Sequence, residues 1–403
     1  MSKTEMPSIR FYGFDNDWEQ RKLEDYLTVS AEKNSDNLYT KDDVLSVSGD
    51  FGVVNQIEFQ GRSFAGASVS NYGVVHTGDV VYTKSPLKAN PYGIIKTNKG
   101  KPGIVSVLYG VYHTRGNANA DFIQMYFEQD ARLNNYLRPL VNKGAKNTLL
   151  ISDTDALEGE VCLAPTFDEQ KAIGQFFDSL DHLITLHQRK FEKLTNVKKS
   201  MLEKMFPRNG SCYPEIRFKG FTDPWEQRRF GDVFEEYSEK NRADLPPLTI
   251  VQGSGTIRRD ESERALQYDK ASLPSYKAVH EGDFIVHLRS FEGGLEKANS
   301  QGIVSPAYHT FRGEGIDSRF YYAYFRSKKF IDTDLKPHVY GIRDGRSIDI
   351  EGMKTIEIPF TSYPEQRLIG DAIGAINTLI TLHQRELEKL QSIKKALLEK
   401  MFV

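Results

Sequence analysis

The chain of 403 residues contains only two cysteines, Cys162 and Cys212. Two thiols are too few for a cysteine zinc cluster, and so few cysteines are typical of a reducing compartment. Long apolar runs are also missing, because no segment approaches the roughly 18 residues of a membrane-spanning helix. The first residues, MSKTEMPSIRFYG, lack the apolar core of a secretory signal. These absences predict a cytoplasmic protein with no membrane span.

An excess of charge of one sign is lacking as well. The 53 basic and 55 acidic residues give a formal net charge of −2. The total therefore gives no argument for a nucleic-acid partner, although a basic surface can still form locally. The length is too great for one ordinary hydrophobic core, so we expect at least two domains.

Catalytic motifs are scarce. GSG at 253–255 lacks the third glycine of a dinucleotide-binding motif, and no phosphate-binding P-loop is present. NPYG at 90–93 is similar to the catalytic motif of adenine-amino methyltransferases but lacks its second proline. No nucleophile elbow, zinc-ligand cluster or paired-carboxylate motif stands out. We therefore expect no catalytic residue, no metal site and no cofactor in this chain.

The chain repeats itself. Residues 7–21 read PSIRFYGFDNDWEQR, and residues 214–228 read PEIRFKGFTDPWEQR. Residues 169–206 and 365–402 align without a gap and share LITLHQR and LEKMF. The segments between these anchors diverge. Each half is therefore a variable globular region followed by a near-constant segment.

The near-constant segments are typical of long helices. Thr166 and Ser362 each stand three residues before a glutamate, Glu169 and Glu365, which is capping-box spacing. Apolar residues then recur at heptad spacing, so we expect the two helices to pair with each other in an antiparallel coiled coil. The predicted interface comprises Ile173, Phe177, Leu180, Ile184, His187, Phe191, Leu194 and Met201 in the first helix, and Ile369, Ile373, Ile376, Ile380, His383, Leu387, Leu390 and Leu397 in the second.

His187 and His383 interrupt these apolar seams. A metal site or a pH switch is one interpretation, but two histidines without further ligands make a poor metal site. Polar residues that set the register of the pair are the favoured interpretation.

The globular regions combine both kinds of secondary structure. Alternating β-branched stretches at 72–83 and 276–288, and the segments 159–165 and 354–360, predict strands. Segments 121–130 and 319–330 are amphipathic and predict helices. The sequence thus predicts an α+β protein with pseudo-two-fold symmetry, in which two long antiparallel helices separate two mixed domains. The predicted segments are a first domain at 1–165, a helix at 166–206, a linker at 207–214, a second domain at 215–361 and a helix at 362–403.

Positive charge is concentrated in one part of the first half. From Val80 to Ala120 there is no acidic residue but there are six basic ones, interleaved with tyrosines. This mixture is typical of a surface that meets phosphates and base edges, although a solvated loop surface is the alternative. NKGAKNT at 142–148 and YGIRDGRS at 340–347 add a second pair of candidates, because arginine can read guanine with two hydrogen bonds. The DNA-binding candidates are Lys84, Lys88, Tyr92, Lys96, Lys99, Lys101, Arg115, Lys143, Lys146 and Asn147 in the first half, and Arg258, Arg289, Lys336, Tyr340, Arg343 and Arg346 in the second.

Trp18 and Trp225 are the only tryptophans and occupy the same place in both copies. They could stack on a nucleic-acid base, but their position inside a repeated segment favours a role as core anchors.

The duplicated order of WEQR starts, divergent middles and paired LITLHQR…LEKMF helices resembles the specificity subunit of type I restriction-modification systems, over essentially the whole chain. The resemblance implies that each variable region is a target-recognition domain that reads one half of a bipartite double-stranded DNA sequence. It implies that the helices set the spacing between half-sites and dock two modification (methyltransferase) subunits. Restriction subunits that translocate and cleave DNA would complete the complex. S-adenosylmethionine, ATP and Mg are then expected in the partner subunits.

Three alternatives are weighed on the sequence alone. A specificity half of a fused restriction enzyme would carry an additional catalytic domain, for which the sequence offers no spare length. A methyltransferase or nuclease would have to bind S-adenosylmethionine or a metal by itself. A coiled-coil adaptor that does not read DNA would show no preference for any duplex sequence.

Overall fold

The computed structural model describes residues 4–87, 89–143, 149–208, 210–262, 270–341 and 346–402. The chain packs into two compact units, the first formed by residues 1–187 and 386–403 and the second by residues 188–385. The division falls inside two long helices and not at the predicted linker, because the ends of these helices pack against the opposite half of the sequence. Among the described residues, every helix of membrane-spanning length carries too many polar and charged side chains to be a candidate membrane span.

The first unit is built from short strands, three short α-helices and parts of both long helices. Its strands are β1 (Thr4–Glu5), β2 (Trp18–Lys22), β3 (Leu27–Val29), β4 (Leu45–Ser48), β5 (Gly52–Asn55), β6 (Gly73–Val75), β7 (Val80–Thr83), β8 (Ile94–Thr97), β9 (Gly103–Val105), β10 (Tyr109–Thr114), β11 (Asn142–Lys143), β12 (Leu149–Leu150) and β13 (Glu160–Leu163). Its α-helices are α1 (Gln56–Gln60), α2 (Ala120–Tyr126), α3 (Asp130–Leu137) and the first part of α4 (Phe167–Lys204). Short 3-10 turns occupy Leu23–Asp25, Lys41–Asp43 and Asp155–Leu157.

The second unit repeats most of the strands of the first in the same order, but several of its short helices differ in place or type. Its strands are β14 (Glu226–Arg229), β15 (Phe234–Tyr237), β16 (Leu248–Val251), β17 (Gly255–Arg258), β18 (Lys277–Val279), β19 (Phe284–Val286), β20 (Glu296–Lys297), β21 (Gly302–Val304), β22 (His309–Gly313), β23 (Val339–Tyr340), β24 (Ser347–Ile348) and β25 (Glu357–Phe360). Its α-helices are α5 (Phe230–Val233), α6 (Ser290–Gly293), α7 (Ser318–Phe325), α8 (Ile350–Lys354) and the first part of α9 (Tyr363–Lys400). Short 3-10 turns occupy Arg259–Glu261, Lys270–Ser275 and Lys336–His338, and a π-helical turn spans Phe330–Leu335.

Strand pairing repeats between the units. The central four-stranded sheet has the order β3-β10-β7-β8 in the first unit and β15-β22-β19-β20 in the second, with every pair antiparallel. The hairpins β4-β5 and β11-β12 have their counterparts in β16-β17 and β23-β24. The internal repeat of the sequence is therefore an internal repeat of the fold, and the α+β prediction is confirmed.

The predicted strands at 72–83 are β6 and β7, but they belong to different sheets. β6 pairs with β9, whereas β7 pairs with β8 and β10. Alternation of apolar residues showed that both segments were extended, but it could not show which strand each would join.

The two long helices are confirmed with bounds close to those predicted. In the first unit, Lys394 Nζ of α9 lies 2.7 Å from Asp181 of α4, and the rings of Phe402 and Phe177 are 5.9 Å apart. Moving forward along α9 thus means moving backward along α4, so the pair is antiparallel there. In the second unit, the end of α4 and the start of α9 share one hydrophobic core.

The predicted seam is shielded from solvent. Every one of its residues is buried or half-buried, from Ile173 to Met201 in α4 and from Ile369 to Leu397 in α9. His187 and His383 are half-buried members of it. No group of three metal-ligating side chains occurs among the described residues.

Both tryptophans are core residues, as the repeat predicted. Trp18 is 0% exposed and Trp225 is 1% exposed. The Trp18 indole N–H donates to Glu169 at 3.3 Å, and the Trp225 indole N–H donates to Glu365 at 3.1 Å. A position that is sealed on all sides leaves no face for stacking on a base.

The same two glutamates correct the capping-box prediction. The Glu169 N–H does donate to the Thr166 hydroxyl at 3.3 Å. Its carboxylate does not return to the cap, however, because Arg10 donates to it from Nε at 2.6 Å and from a terminal nitrogen at 2.8 Å. Arg217 holds Glu365 in the same way at 2.7 and 2.9 Å. Each helix start is thus fixed by a buried arginine–glutamate–tryptophan cluster and not by a reciprocal cap.

Candidate nucleic-acid interface

The acid-free stretch of the first half meets acids from elsewhere in its unit. Lys84 Nζ lies 2.7 Å from Asp153. Lys96 is 6% exposed and its Nζ lies 2.6 Å from Glu128. An ammonium group that is buried and paired with a carboxylate is not accessible to a DNA phosphate. This burial argues against a DNA contact for Lys96, and the local charge count missed it because Glu128 lies further along the chain.

Two more cations of that stretch are engaged at the surface. Lys99 pairs with Asp178 and with Asp121, the latter at 3.2 Å. Arg115 is exposed and donates from Nε to the Glu24 carbonyl at 2.9 Å. Exposed pairs of this kind are weak and exchange readily with a stronger anion. Lys99 and Arg115 therefore keep their place as predicted DNA contacts.

The other DNA-binding candidates of the first half differ in exposure, and three of them are not among the described residues. Lys101 is exposed. Tyr92 is half-buried, and its carbonyl accepts a hydrogen bond from the Tyr82 hydroxyl at 2.6 Å. Lys143 ends strand β11. Lys88, Lys146 and Asn147 lie outside the described residues.

The second unit brings its candidates closer together. Arg289, Lys336, Tyr340 and Arg346 are all exposed. Arg289 directly precedes α6, and Arg346 directly precedes β24. The Arg346 guanidinium lies 5.7 Å from the centre of the Phe291 ring in α6, so the two arginines flank one exposed edge. Arg343 lies outside the described residues, and Arg258 forms an exposed ion pair with Asp260 at 2.8 Å.

His287 lies near this edge and near a further cation, Arg326. Burial lowers the pKa of His287 to about 4, and the charges of Arg326 and Arg289 lower it in addition. Its ring is therefore neutral at pH 7. Both arginines therefore lie near enough to His287 for their charges to act on its ring.

A buried charge network in the first unit surrounds Glu128. Lys96 and Lys394 approach this carboxylate at 2.6 and 3.4 Å, and Asp181 pairs with Lys394 at 2.7 Å. Burial raises the pKa of Glu128, but the two lysines outweigh it and hold the pKa below its ordinary value. Burial likewise lowers the pKa of Lys394, but Glu128 and Asp181 outweigh it and raise the pKa above the usual value. The network is balanced within the unit.

The second unit reverses the signs of the central pair. Glu296 is the structural equivalent of Lys96. Each of the two pairs with the strand residue that follows the Gly-Asp turn of its unit by two places, Ile285 for Glu296 and Val81 for Lys96. Arg326 stands at the position of Glu128, the same number of residues after the N-cap of its helix. Glu296 is fully buried and pairs with Arg326, while its carboxylate also accepts the Tyr322 hydroxyl at 2.7 Å.

Lys198 occupies in α4 the place that Lys394 occupies in α9, but its surroundings differ. Burial lowers the pKa of Lys198, and repulsion from Arg326 lowers it further. The residue of α9 that matches Asp181 is Asn377, which carries no charge. The same repeated lysine is thus neutralised in the first unit and unneutralised among the described residues of the second.

This difference predicts opposite effects of one substitution. Lys394→Met is expected to destabilise the first unit by about 1–3 kcal/mol, because it leaves Glu128 and Asp181 without their shared partner. Lys198→Met is expected to leave the second unit as stable as before or more stable, because it removes a half-buried charge that has no described counter-ion. Hydrogen exchange measured by mass spectrometry on each unit compares the two, and equal losses would contradict the assignment.

Sequence comparisons connect this geometry with known proteins. No family model matches the chain. A Methanocaldococcus jannaschii protein provisionally named type I restriction enzyme MjaX specificity subunit is 22% identical over 98% of this chain and 94% of its own length. The type I restriction enzyme MjaVIII specificity subunit of the same organism is 24% identical over 58% of this chain and 59% of its own length.

A solved structure shares the fold. The crystal structure of the type I restriction-modification S subunit from M. genitalium matches 99% of both chains with a TM-score of 0.60 at 13% sequence identity. The resemblance predicted from the repeated motifs is confirmed by these similarities in sequence and in fold.

Proposed function

We propose that this chain is the DNA-specificity subunit of a type I restriction-modification complex. The observation that carries the proposal is the similarity to a specificity subunit over 98% of this chain, which includes both copies of the repeat. Each unit would read one half of a bipartite target, and a coiled-coil adaptor would have no need of two divergent units on one repeated fold.

The exposed edges of the units support a reading role. In the second unit Arg289, Tyr340 and Arg346 are exposed beside the hairpin β23-β24. Arginine suits base recognition because its two parallel donors match O6 and N7 of guanine. In the first unit Lys99, Lys101 and Arg115 are the exposed cations in the described part of the acid-free stretch, and we assign them to phosphate contacts, which position the protein without reading sequence.

The remaining parts of the activity belong to other chains in this proposal. Two modification subunits would dock on the long helices and carry S-adenosylmethionine and the methyltransferase site. Restriction subunits would use ATP and Mg for translocation and cleavage. This chain would act in the cytoplasm and would not catalyse. Calorimetry with S-adenosylmethionine tests that division, since binding by this chain alone would indicate an enzyme.

The second unit's edge gives a direct test. The double substitution Arg289→Ala/Arg346→Ala is expected to weaken binding to the target by about 1–3 kcal/mol for each arginine that contacts a base, and to relax specificity in one half-site only. Competition binding against duplexes mutated in either half-site measures both effects.

Arg367→Ala is the matched control, because Arg367 is an exposed arginine on α9 away from the edge. It should leave affinity and specificity unchanged. Equal specificity in the double variant and in the wild type would remove this edge from the reading surface. Mapping of methylated adenines in cells with and without the gene tests the whole proposal, and identical maps would refute it.

A further inference from the structure

A cavity in the second unit is rimmed by positive charge. It lies between the last turns of α4 and the segment after α7, and its volume is about 550 Å³. Leu202, Phe206 and Tyr324 form apolar parts of its wall. The cations that line it are Lys198, Lys199, Arg208, Arg326, Lys328 and Lys329.

Three of these cations have acidic partners within the unit. Arg326 pairs with Glu296. Lys329 lies 2.9 Å from Asp334, and Arg208 lies 3.8 Å from Glu203. Lys198, Lys199 and Lys328 form no ion pair with any acidic side chain in the described part of the chain. The cavity therefore carries more positive charge than its own acids neutralise.

The first unit shows what is missing. Segment 128–131 reads EQDA where segment 326–329 of the second unit reads RSKK. In the first unit Glu128 and Asp181 neutralise Lys394. The second unit has kept the lysine pair of the long helix and replaced these acids with Arg326 and Asn377. The repeated lysine therefore has carboxylate partners within the first unit, whereas in the second unit an external anion could take their place.

We propose that this cavity binds a backbone phosphate of the DNA duplex, so that the second unit grips the phosphate chain at a place where the first unit does not. The inference rests on the proposed function and adds a phosphate site outside the predicted reading residues. Lysine is a common phosphate ligand, and the half-buried Lys198 would meet a phosphate with less competition from water.

Two observations favour DNA over an acidic protein segment. The charges of Arg326 on the cavity and of Arg289 on the exposed edge both act on His287, so the two cations lie in the same region of the second unit. The charge that distinguishes this cavity from the matching place in the first unit also comes in part from the variable domain, through Arg326 and Lys328. A partner that bound both units alike would meet Glu128 and Asp130 at the matching place in the first.

The test compares two double variants of the chain assembled with its modification subunits. Lys199→Gln/Lys328→Gln removes two exposed lysines of the cavity, and Lys171→Gln/Lys395→Gln removes two exposed lysines of the long helices that line no part of it. Affinity for a labelled duplex carrying the mapped target is measured by fluorescence anisotropy over a range of salt concentrations.

The cavity variant is expected to lower the slope of log affinity against log salt by about 0.9 for each phosphate that the protein no longer neutralises, with base specificity unchanged. The control variant should keep the wild-type slope, and Lys199→Arg/Lys328→Arg should restore it. An unchanged slope in the cavity variant overturns the inference. Loss of the modification subunits with an unchanged slope overturns it in favour of a protein partner. If the wild-type complex prefers no duplex sequence, the proposed function fails instead.

Discussion

Glu365→Ala should destabilise the second unit by about 3–5 kcal/mol, because it leaves the half-buried Arg217 guanidinium without its counter-ion and the buried Trp225 indole without its acceptor. Glu365 is 1% exposed as a side chain and accepts from Arg217 and from the Trp225 indole. One carboxylate thus joins the start of α9 to two segments that lie far before it in sequence. Hydrogen exchange followed by mass spectrometry should show weaker protection in residues 188–385 and little change elsewhere.

Glu226→Ala is the control for this prediction. Glu226 forms a salt bridge with Arg228, but both side chains are largely exposed. Exposed pairs contribute about 0–1 kcal/mol, so the control should stay near the wild type. Equal destabilisation by both substitutions would show that the buried cluster does not hold the helix start.

Replacing residues 215–361 with the corresponding region of another specificity subunit should exchange one half of the recognised DNA sequence and leave the other half intact. The reason is that each unit has its own sheets and its own aromatic core. Methylation mapping of cells that carry the chimaera measures the outcome. Alteration of both half-sites would contradict independent reading by the two units.

The structure adds a condition to this exchange. Phe206 of the retained helix segment packs on Trp225, Phe320 and Tyr324 of the replaced region, with ring distances of 6.1, 5.1 and 5.5 Å. A donor region therefore needs aromatic residues at these three places. A chimaera that meets this condition and still fails to fold would point to further packing between the helix and the replaced region.

Much of the architecture could be predicted because it depends on short-range sequence patterns. Heptad spacing located both long helices, and the repeat of WEQR placed Trp18 and Trp225 in the core. Both predictions use patterns that can be read within a short segment of sequence, without knowledge of which distant segments are in contact.

Pairing between distant segments could not be predicted in this way. The tripeptide IRF occurs in both copies and contains Arg10 and Arg217, so the repeat marks these arginines as a shared feature. It does not show that they form ion pairs with Glu169 and Glu365, which lie about 150 residues further along the chain. The ion pair of Lys96 with Glu128 could not be predicted for the same reason. A charge count over residues 80–120 does not include Glu128, which the fold brings next to Lys96. The unneutralised Lys198 becomes visible only when the two units are compared in three dimensions.

The assignment of residues 386–403 to the first unit has a consequence for synthesis. Phe402 packs on Trp18, Phe122 and Phe177, with ring distances of 6.0, 5.4 and 5.9 Å. The ribosome makes this phenylalanine only after all of residues 188–385 have been polymerised. A nascent chain therefore lacks this core ring until residue 402 has been added, and a premature stop codon near residue 390 would remove it from the unit that is made first.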